Sequence, residues 1–111
     1  MRYLYFVLSS MFSLAVASFS VYGGESDYLL VIKDHRYAPS ELVIPAGQRV
    51  KLIIDNQDAS AEEFESKALR IEKIIPGNTK SIIWVGPLKP GKYAFVGEYH
   101  EDTAQGTLIS E

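Results

Sequence analysis

The segment KPGKYAFVGEYHEDTAQGTLIS (Lys89–Ser110) decides the fold. It opens on a Pro-Gly turn, where proline presets φ and glycine adopts backbone angles that other residues avoid. KYAFV (Lys92–Val96) follows with strand-forming residues, and GTLIS (Gly106–Ser110) resumes that character after an interruption. The interruption places one histidine, His100, among Glu98, Glu101 and Asp102. Two short apolar runs separated by a polar loop are a strand pattern. An imidazole among carboxylates is a metal ligand or a salt-bridged side chain.

The same spacing extends upstream. DYLLVIKD (Asp27–Asp34) reads as a first strand, and SELVIPAGQ (Ser40–Gln48) as a short strand ending in a Pro-Ala-Gly turn. RVKLIIDNQD (Arg49–Asp58) alternates, with Val50, Leu52 and Ile54 on one face and Lys51 and Asp55 on the other. EFESKALRIEKIIPGN (Glu63–Asn78) has the Glu, Lys, Leu and Ala content of a helix. Its context instead predicts strand, turn and strand, closed by Pro76-Gly77-Asn78. TKSIIWVGPL (Thr79–Leu88) is a further β-branched and aromatic strand. Seven or eight short strands with turns every 8–12 residues predict an all-β sandwich.

The first 18 residues differ. MRYLYFVLSSMFSLAVAS carries Arg2 and then an uncharged apolar run in which Ala15 and Ala17 form an A-x-A pattern. This is the form of a secretory signal peptide, an uncleaved N-terminal anchor being the alternative. Residues 1–24 are therefore expected to be signal peptide and short leader, and 25–111 one domain exported to the periplasm. No membrane insertion of that mature domain is expected. Loss of Arg2 takes the net charge from −3 to about −4. An acidic domain without a Lys/Arg cluster is a poor nucleic-acid binder and a reasonable cation binder. The chain has no cysteine. Disulfides, Cys nucleophiles, iron–sulfur ligation and thiolate-bound copper are thereby excluded. No nucleophile–base set for hydrolysis is visible, and no catalytic residue is assigned.

HRYAPSELVIPAGQRVKLIIDNQD (His35–Asp58) resembles the N-terminal half of the cupredoxins, in Tyr37, Pro39, Leu42–Ile44, Gly47, Val50 and Asn56. PGKYAFVGEYHEDTAQG (Pro90–Gly106) is similar to their second half, in Pro90, Gly91, Tyr93, Phe95 and His100. The resemblance spans Tyr28 to Ser110 and implies a cupredoxin-like Greek-key β-sandwich. Three departures matter. Gly97 stands where the copper-binding Cys would be, Gln105 falls near the axial Met, and the first copper-binding His is replaced within SAEEFES (Ser60–Ser66). A blue-copper centre needs a thiolate and two imidazoles, so this chain cannot build one. The stretches EEFES and GEYHEDTAQG resemble cupredoxin-like proteins of bacterial periplasmic ferrous-iron uptake systems. That resemblance implies an iron or copper ion as cofactor. It also implies an iron permease and a periplasmic iron-binding protein as partners.

The residues themselves suggest a site. Glu63 and Glu65 are two apart, so in a strand they project from one face. Two carboxylates on one face repel unless a cation or proton intervenes. Glu98 and His100 share a face if strand geometry continues. The expected metal set is therefore Glu63, Glu65, Glu98 and His100, with His35 as a secondary candidate. Gly97, lacking a Cβ, is expected to leave room for water or a hydrated ion, or to mark a bulge. Oxygen ligands suit Fe(II) and stabilise Fe(III), which makes a ferroxidase the enzyme reading. A non-catalytic copper or iron carrier, or a docking module, is the binding-protein alternative, and a fold that has lost its metal a third.

Overall fold

The computed structural model describes residues 27–111. The expected leader therefore lies outside the described residues. Nine strands follow in order: β1 Asp27–Lys33, β2 Arg36–Ala38, β3 Glu41–Ile44, β4 Val50–Asn56, β5 Glu62–Ser66, β6 Ile71–Ile75, β7 Thr79–Val85, β8 Gly91–Gly97 and β9 Gln105–Ser110. The only helical element among the described residues is a single 3-10 turn, Glu98–His100, directly after β8. The expected sandwich is present, with one strand more than eight. The addition is β2, three residues that fold back antiparallel on β1 with Ile32 opposite Tyr37. Three residues carry too little periodicity to be read from sequence.

The strands form two sheets, ordered β2-β1-β4-β7 and β3-β9-β8-β5-β6. Two neighbours run parallel, β1 with β4 and β3 with β9. Alternation sets the inner faces: Val50, Leu52, Ile54 and Asn56 of β4 are buried, as are Glu62, Phe64 and Ser66 of β5. The core consists of Leu30, Ile32, Tyr37, Ile44, Val50, Leu52, Ile54, Phe64, Ile75, Ile83, Val85, Phe95, Ala104 and Leu108. Each buried Leu, Ile or Phe contributes about 1.5–3 kcal/mol relative to exposure. Tyr37 stands edge-on to Phe95 with centroids 4.9 Å apart, and Phe64 stacks on Phe95 at 5.1 Å. This aromatic cluster floors the end of the sandwich where Glu62, Gly97 and His100 meet.

The helix-like composition of Glu63–Asn78 yields to tertiary context. β5 and β6 pair antiparallel around a turn in which Arg70 takes φ 59°. The Ser66 hydroxyl donates to the Ala94 carbonyl and accepts from Leu69 N–H, tying that turn to β8. At the next turn a Cβ on Gly77 would collide with the Ala59 carbonyl, so only glycine allows the approach.

Candidate metal centre

Phe64 settles the register of β5. It is fully buried, so the period of two carries Glu62 and Ser66 inward and turns Glu63 and Glu65 outward. Glu62 is 1% exposed. A buried carboxylate must be paired or hydrogen-bonded, and this one is. Its Oε1 accepts from the backbone N–H groups of Glu63 and Tyr99, each at 2.9 Å. Its Oε2 accepts from His100 Nδ1 at 2.7 Å. The carboxylate only accepts, so in this pair Nδ1 carries the proton.

The four residues expected to share one ion are therefore divided. His100 turns inward to Glu62, because the 3-10 turn after Gly97 breaks the alternation that would have kept it beside Glu98. The acidic side chains remain together on the outer face of the second sheet. There Glu63, Glu72 and Glu98 bring donor oxygens within 4.8 Å of one another. Glu65 hydrogen-bonds Glu98, and that contact, with some burial and the Glu98 charge, raises its carboxyl above the usual range.

The space expected beside Gly97 is filled. A Cβ there would lie 2.5 Å from Glu62 Cδ, 2.6 Å from Oε2 and 2.7 Å from the Ala104 Cβ. The Glu62 carboxylate occupies the volume that a side chain at position 97 would enter. Gly97 stands opposite Phe64 in the β5–β8 ladder, and its N–H donates to the Ala104 carbonyl at 2.8 Å.

His35 joins this end of the molecule. Its ring stacks on that of His100, with centroids 3.5 Å apart and planes 12° from parallel. The β1–β2 turn holds it there. Asp34 and His35 both take positive φ, 53° and 59°. Their N–H groups donate to Asp58 Oδ1 and Oδ2 at 2.8 and 3.0 Å. Partial burial pushes the Asp58 carboxyl up. The His35 and Asp34 N–H groups, helped by the charges of His35 and Lys33, outweigh it and hold the group below its usual range. Asp58 is itself placed by Asn56, whose Oδ1 accepts the Asp58 N–H and whose amide donates to the Ser60, Ile75 and Pro76 carbonyls. From the other side the Thr103 hydroxyl donates to the His35 carbonyl at 2.7 Å.

Tyr37 lies beneath the site. Burial, with the Glu62 charge beside it, pushes its hydroxyl well above the usual phenol range, and the neutral O–H donates to the Val96 carbonyl. Gln105, which falls near the expected axial position, donates to the Glu101 carbonyl at 2.7 Å and so makes a turn contact.

The residues present do not fit a blue-copper ion: the chain has no cysteine to supply its thiolate. They fit an ion that accepts nitrogen and oxygen donors. Two ligand atoms, each roughly 2.0–2.1 Å from a metal and at right angles, lie about 2.9 Å apart. Glu62 Oε2 and His100 Nδ1, at 2.7 Å, are close to that spacing. Among the described residues only the outer carboxylates bring three donor atoms within 4.8 Å of one another. His35 is therefore a stacked neighbour: imidazole donates in its own ring plane, so its ring must turn out of the stack before a nitrogen reaches an ion held by Glu62 and His100.

The comparisons with known proteins agree with this architecture. A family model described as a cupredoxin-like domain matches residues 4–110. The chain belongs to the cupredoxin-like domain family. It is 45% identical over 80 residues to the uncharacterized protein RP394 of Rickettsia prowazekii (strain Madrid E). That match covers 72% of this chain and 64% of the relative, so the chain spans less than two thirds of the relative's length. Among solved structures, auracyanin A, a blue copper protein of Chloroflexus aurantiacus, superposes with a TM-score of 0.65 at 15% identity. The superposition covers 77% of this chain and 98% of auracyanin. The metal-binding domain of the Cu(I)-exporting P-type ATPase CopA of Streptococcus pneumoniae D39 gives 0.70 at 15% identity, covering 83% and 91%. At such identities these likenesses establish the fold alone. This cupredoxin-like chain differs from a blue-copper protein in what stands at the ligand positions. At the places where the resemblance expects copper ligands, Gly97 has no side chain, Glu62 is the buried acid of Ser60–Ser66, and His100 pairs with it.

The sequence left open whether Glu62 or Glu63 faces inward, and the structure chooses Glu62. The clue was Phe64: an aromatic in a strand of a small sandwich belongs in the core, and its neighbour two residues earlier shares its face. Asn56 and Asp58 carried no comparable sign, because their role lies in contacts with turns far along the chain.

Proposed function

We propose that this protein is an exported metal-binding cupredoxin-like domain that holds a divalent transition-metal ion through Glu62 and His100, with His35 completing the site, and that copper is the ion it prefers. The observation that carries this reading is the 2.7 Å pairing of a 1% exposed carboxylate with an imidazole at the end of the sandwich floored by Tyr37, Phe64 and Phe95. Imidazole and carboxylate together favour Cu(II) over earlier divalent ions. The similar folds described as copper proteins make copper the first ion to test. A bound ion would supply positive charge and a redox-capable centre. The chain's own part is to neutralise that charge with Glu62, give up the Nδ1 proton of His100, and exclude water with the Tyr37, Phe64 and Phe95 floor.

A second reading rests on the outer carboxylates. Glu63, Glu72 and Glu98 offer three converging oxygens, which suit Fe(II) better than copper. In that reading the protein serves ferrous-iron acquisition in the periplasm, beside an iron permease and a periplasmic iron-binding protein. Oxidation of Fe(II), one electron from each ion to dioxygen, would be its activity.

The two separate in one experiment. Protein purified from its own compartment is analysed for metals, and Cu(II) and anaerobic Fe(II) are titrated calorimetrically into wild type, Glu62→Gln, His100→Ala and Glu63→Gln/Glu98→Gln. Copper affinity is expected to fall at least about tenfold in the first two variants only. Unchanged copper affinity in both would remove the Glu62–His100 site. Iron binding that responds only to the outer pair, with oxidation faster than a protein-free control, would establish the second reading.

A further inference from the structure

We infer that this protein forms a two-fold dimer by antiparallel pairing of β7 with β7 of a second copy. β7 is an edge strand: among the described residues it pairs with β4 and with no other strand. All seven of its residues lie in that ladder, Thr79–Val85, so its far side offers a full-length row of backbone donors and acceptors. Edges of this kind are usually blunted by proline, a bulge or inward charges. β7 has no proline, no bulge and no inward charge; the outward Lys80 is its one blunting feature.

The outer face of the first sheet continues the argument. Leu29, Ile53 and Ile82 lie side by side across β1, β4 and β7. Leu29, Ile82 and Trp84 are each about half exposed, at 50%, 49% and 47%. This apolar band runs to the open edge and stops there, as it would if it continued on another sheet.

The occupant that fits is a second copy, because the strand is complementary to itself. A two-fold axis at Ile82, the middle residue, is the one register that pairs all seven residues. It also keeps outward side chains opposite outward ones, as the pleat requires. Ile82 then faces Ile82 of the second copy, so Leu29–Ile53–Ile82 becomes one band of six residues across both molecules. Lys80 faces Trp84 of the second copy. Trp84 is about half exposed and already takes one cation, the Arg49 guanidinium 4.3 Å from its ring centroid, so it is an aromatic surface that Lys80 can meet. On its own sheet Lys80 stands opposite Asp55, which balances its charge. The interface is isologous and closed, so it produces dimers rather than fibres. It is independent of the metal site.

Sedimentation equilibrium over a range of concentrations tests the dimer, and site-directed crosslinking tests its register. The mass is expected to rise with concentration towards twice the monomer. Ile82→Lys, which sets two like charges face to face, is expected to return it to the monomer with an unchanged circular dichroism spectrum. The chain has no cysteine of its own. In antiparallel pairs facing Cα atoms are about 4.5–5.5 Å apart, within disulfide reach. Ile82→Cys should therefore crosslink efficiently on oxidation. Lys80→Cys alone should not, and Lys80→Cys with Trp84→Cys should. A monomer at every concentration overturns the inference. So does a dimer that crosslinks through Val43→Cys or Ile74→Cys in preference to Ile82→Cys.

Discussion

His100 donates from Nδ1 to Glu62 Oε2 at 2.7 Å, joining the loop after β8 to β5 across 38 positions of sequence. The carboxylate is almost wholly buried and also holds two backbone N–H groups. One side chain thus organises the segment that expectation gave to a metal, and its removal would leave three donors unsatisfied.

Glu62→Ala is expected to cost about 3 kcal/mol or more, since each buried donor left unsatisfied costs about 1–3 kcal/mol. Glu62→Gln keeps an acceptor for the backbone N–H groups and should cost less, about 1–2 kcal/mol. Urea denaturation of both variants checks this. Equal losses would mean that shape rather than charge and hydrogen bonding holds the residue.

Gly97→Ala is expected to destabilise by about 1–3 kcal/mol through overpacking, since its Cβ would meet the Glu62 carboxyl. With Glu62 shortened to Ala the clash with the carboxyl is removed, and only that with the Ala104 Cβ remains. The double variant should therefore lose less than the two single losses together, with a coupling of at least about 0.5 kcal/mol in a double-mutant cycle. Additive losses would place the two side chains out of contact.

Asp58→Ala is expected to cost about 1–2 kcal/mol at neutral pH, by freeing the N–H groups of a turn held at positive φ. The folded carboxyl is held below its ordinary value of 3.8. The stabilisation is therefore present above that value and is lost as pH falls through the folded pKa. The gap between wild type and variant should close below about pH 4. Copper affinity in the same variant should fall as well, because His35 loses its anchor.

Glu98→Gln is expected to lower the Glu65 pKa, which the hydrogen bond and charge of Glu98 hold above 4.5. A carboxyl raised in the folded state stabilises below its unfolded value and loses that contribution as pH rises through the folded pKa. Removing Glu98 should therefore improve stability at neutral pH and reduce it near pH 4. A carboxyl-detected NMR titration of Glu65 with matched thermal melts would show both.

Much of the fold was legible. Alternation in Arg49–Asp58, the Pro-Gly turns and the β-branched run in Thr79–Leu88 are local properties, and they place strands without reference to the rest of the chain. The β5–turn–β6 reading of Glu63–Asn78 overrode helix propensity correctly, because pairing and burial outweigh a few tenths of a kcal/mol per residue. The site was only half legible. His100 and His35 were candidates and meet in the structure. Glu63, Glu65 and Glu98 were candidates and face the other way. A single-residue register choice separates these outcomes, and the deciding contact, Phe64 in the aromatic cluster, is long-range.

The chain alone determined that this is a small β-sandwich of cupredoxin pattern without a thiolate ligand, since strand period, turn chemistry and residue inventory are properties of the chain itself. Only the tertiary structure decided which carboxylate turns inward and what fills the place beside Gly97. Which histidine meets which also waited on the fold. Those outcomes depend on the packing of two sheets whose contacts lie tens of residues apart, where a displacement of one position exchanges core for surface.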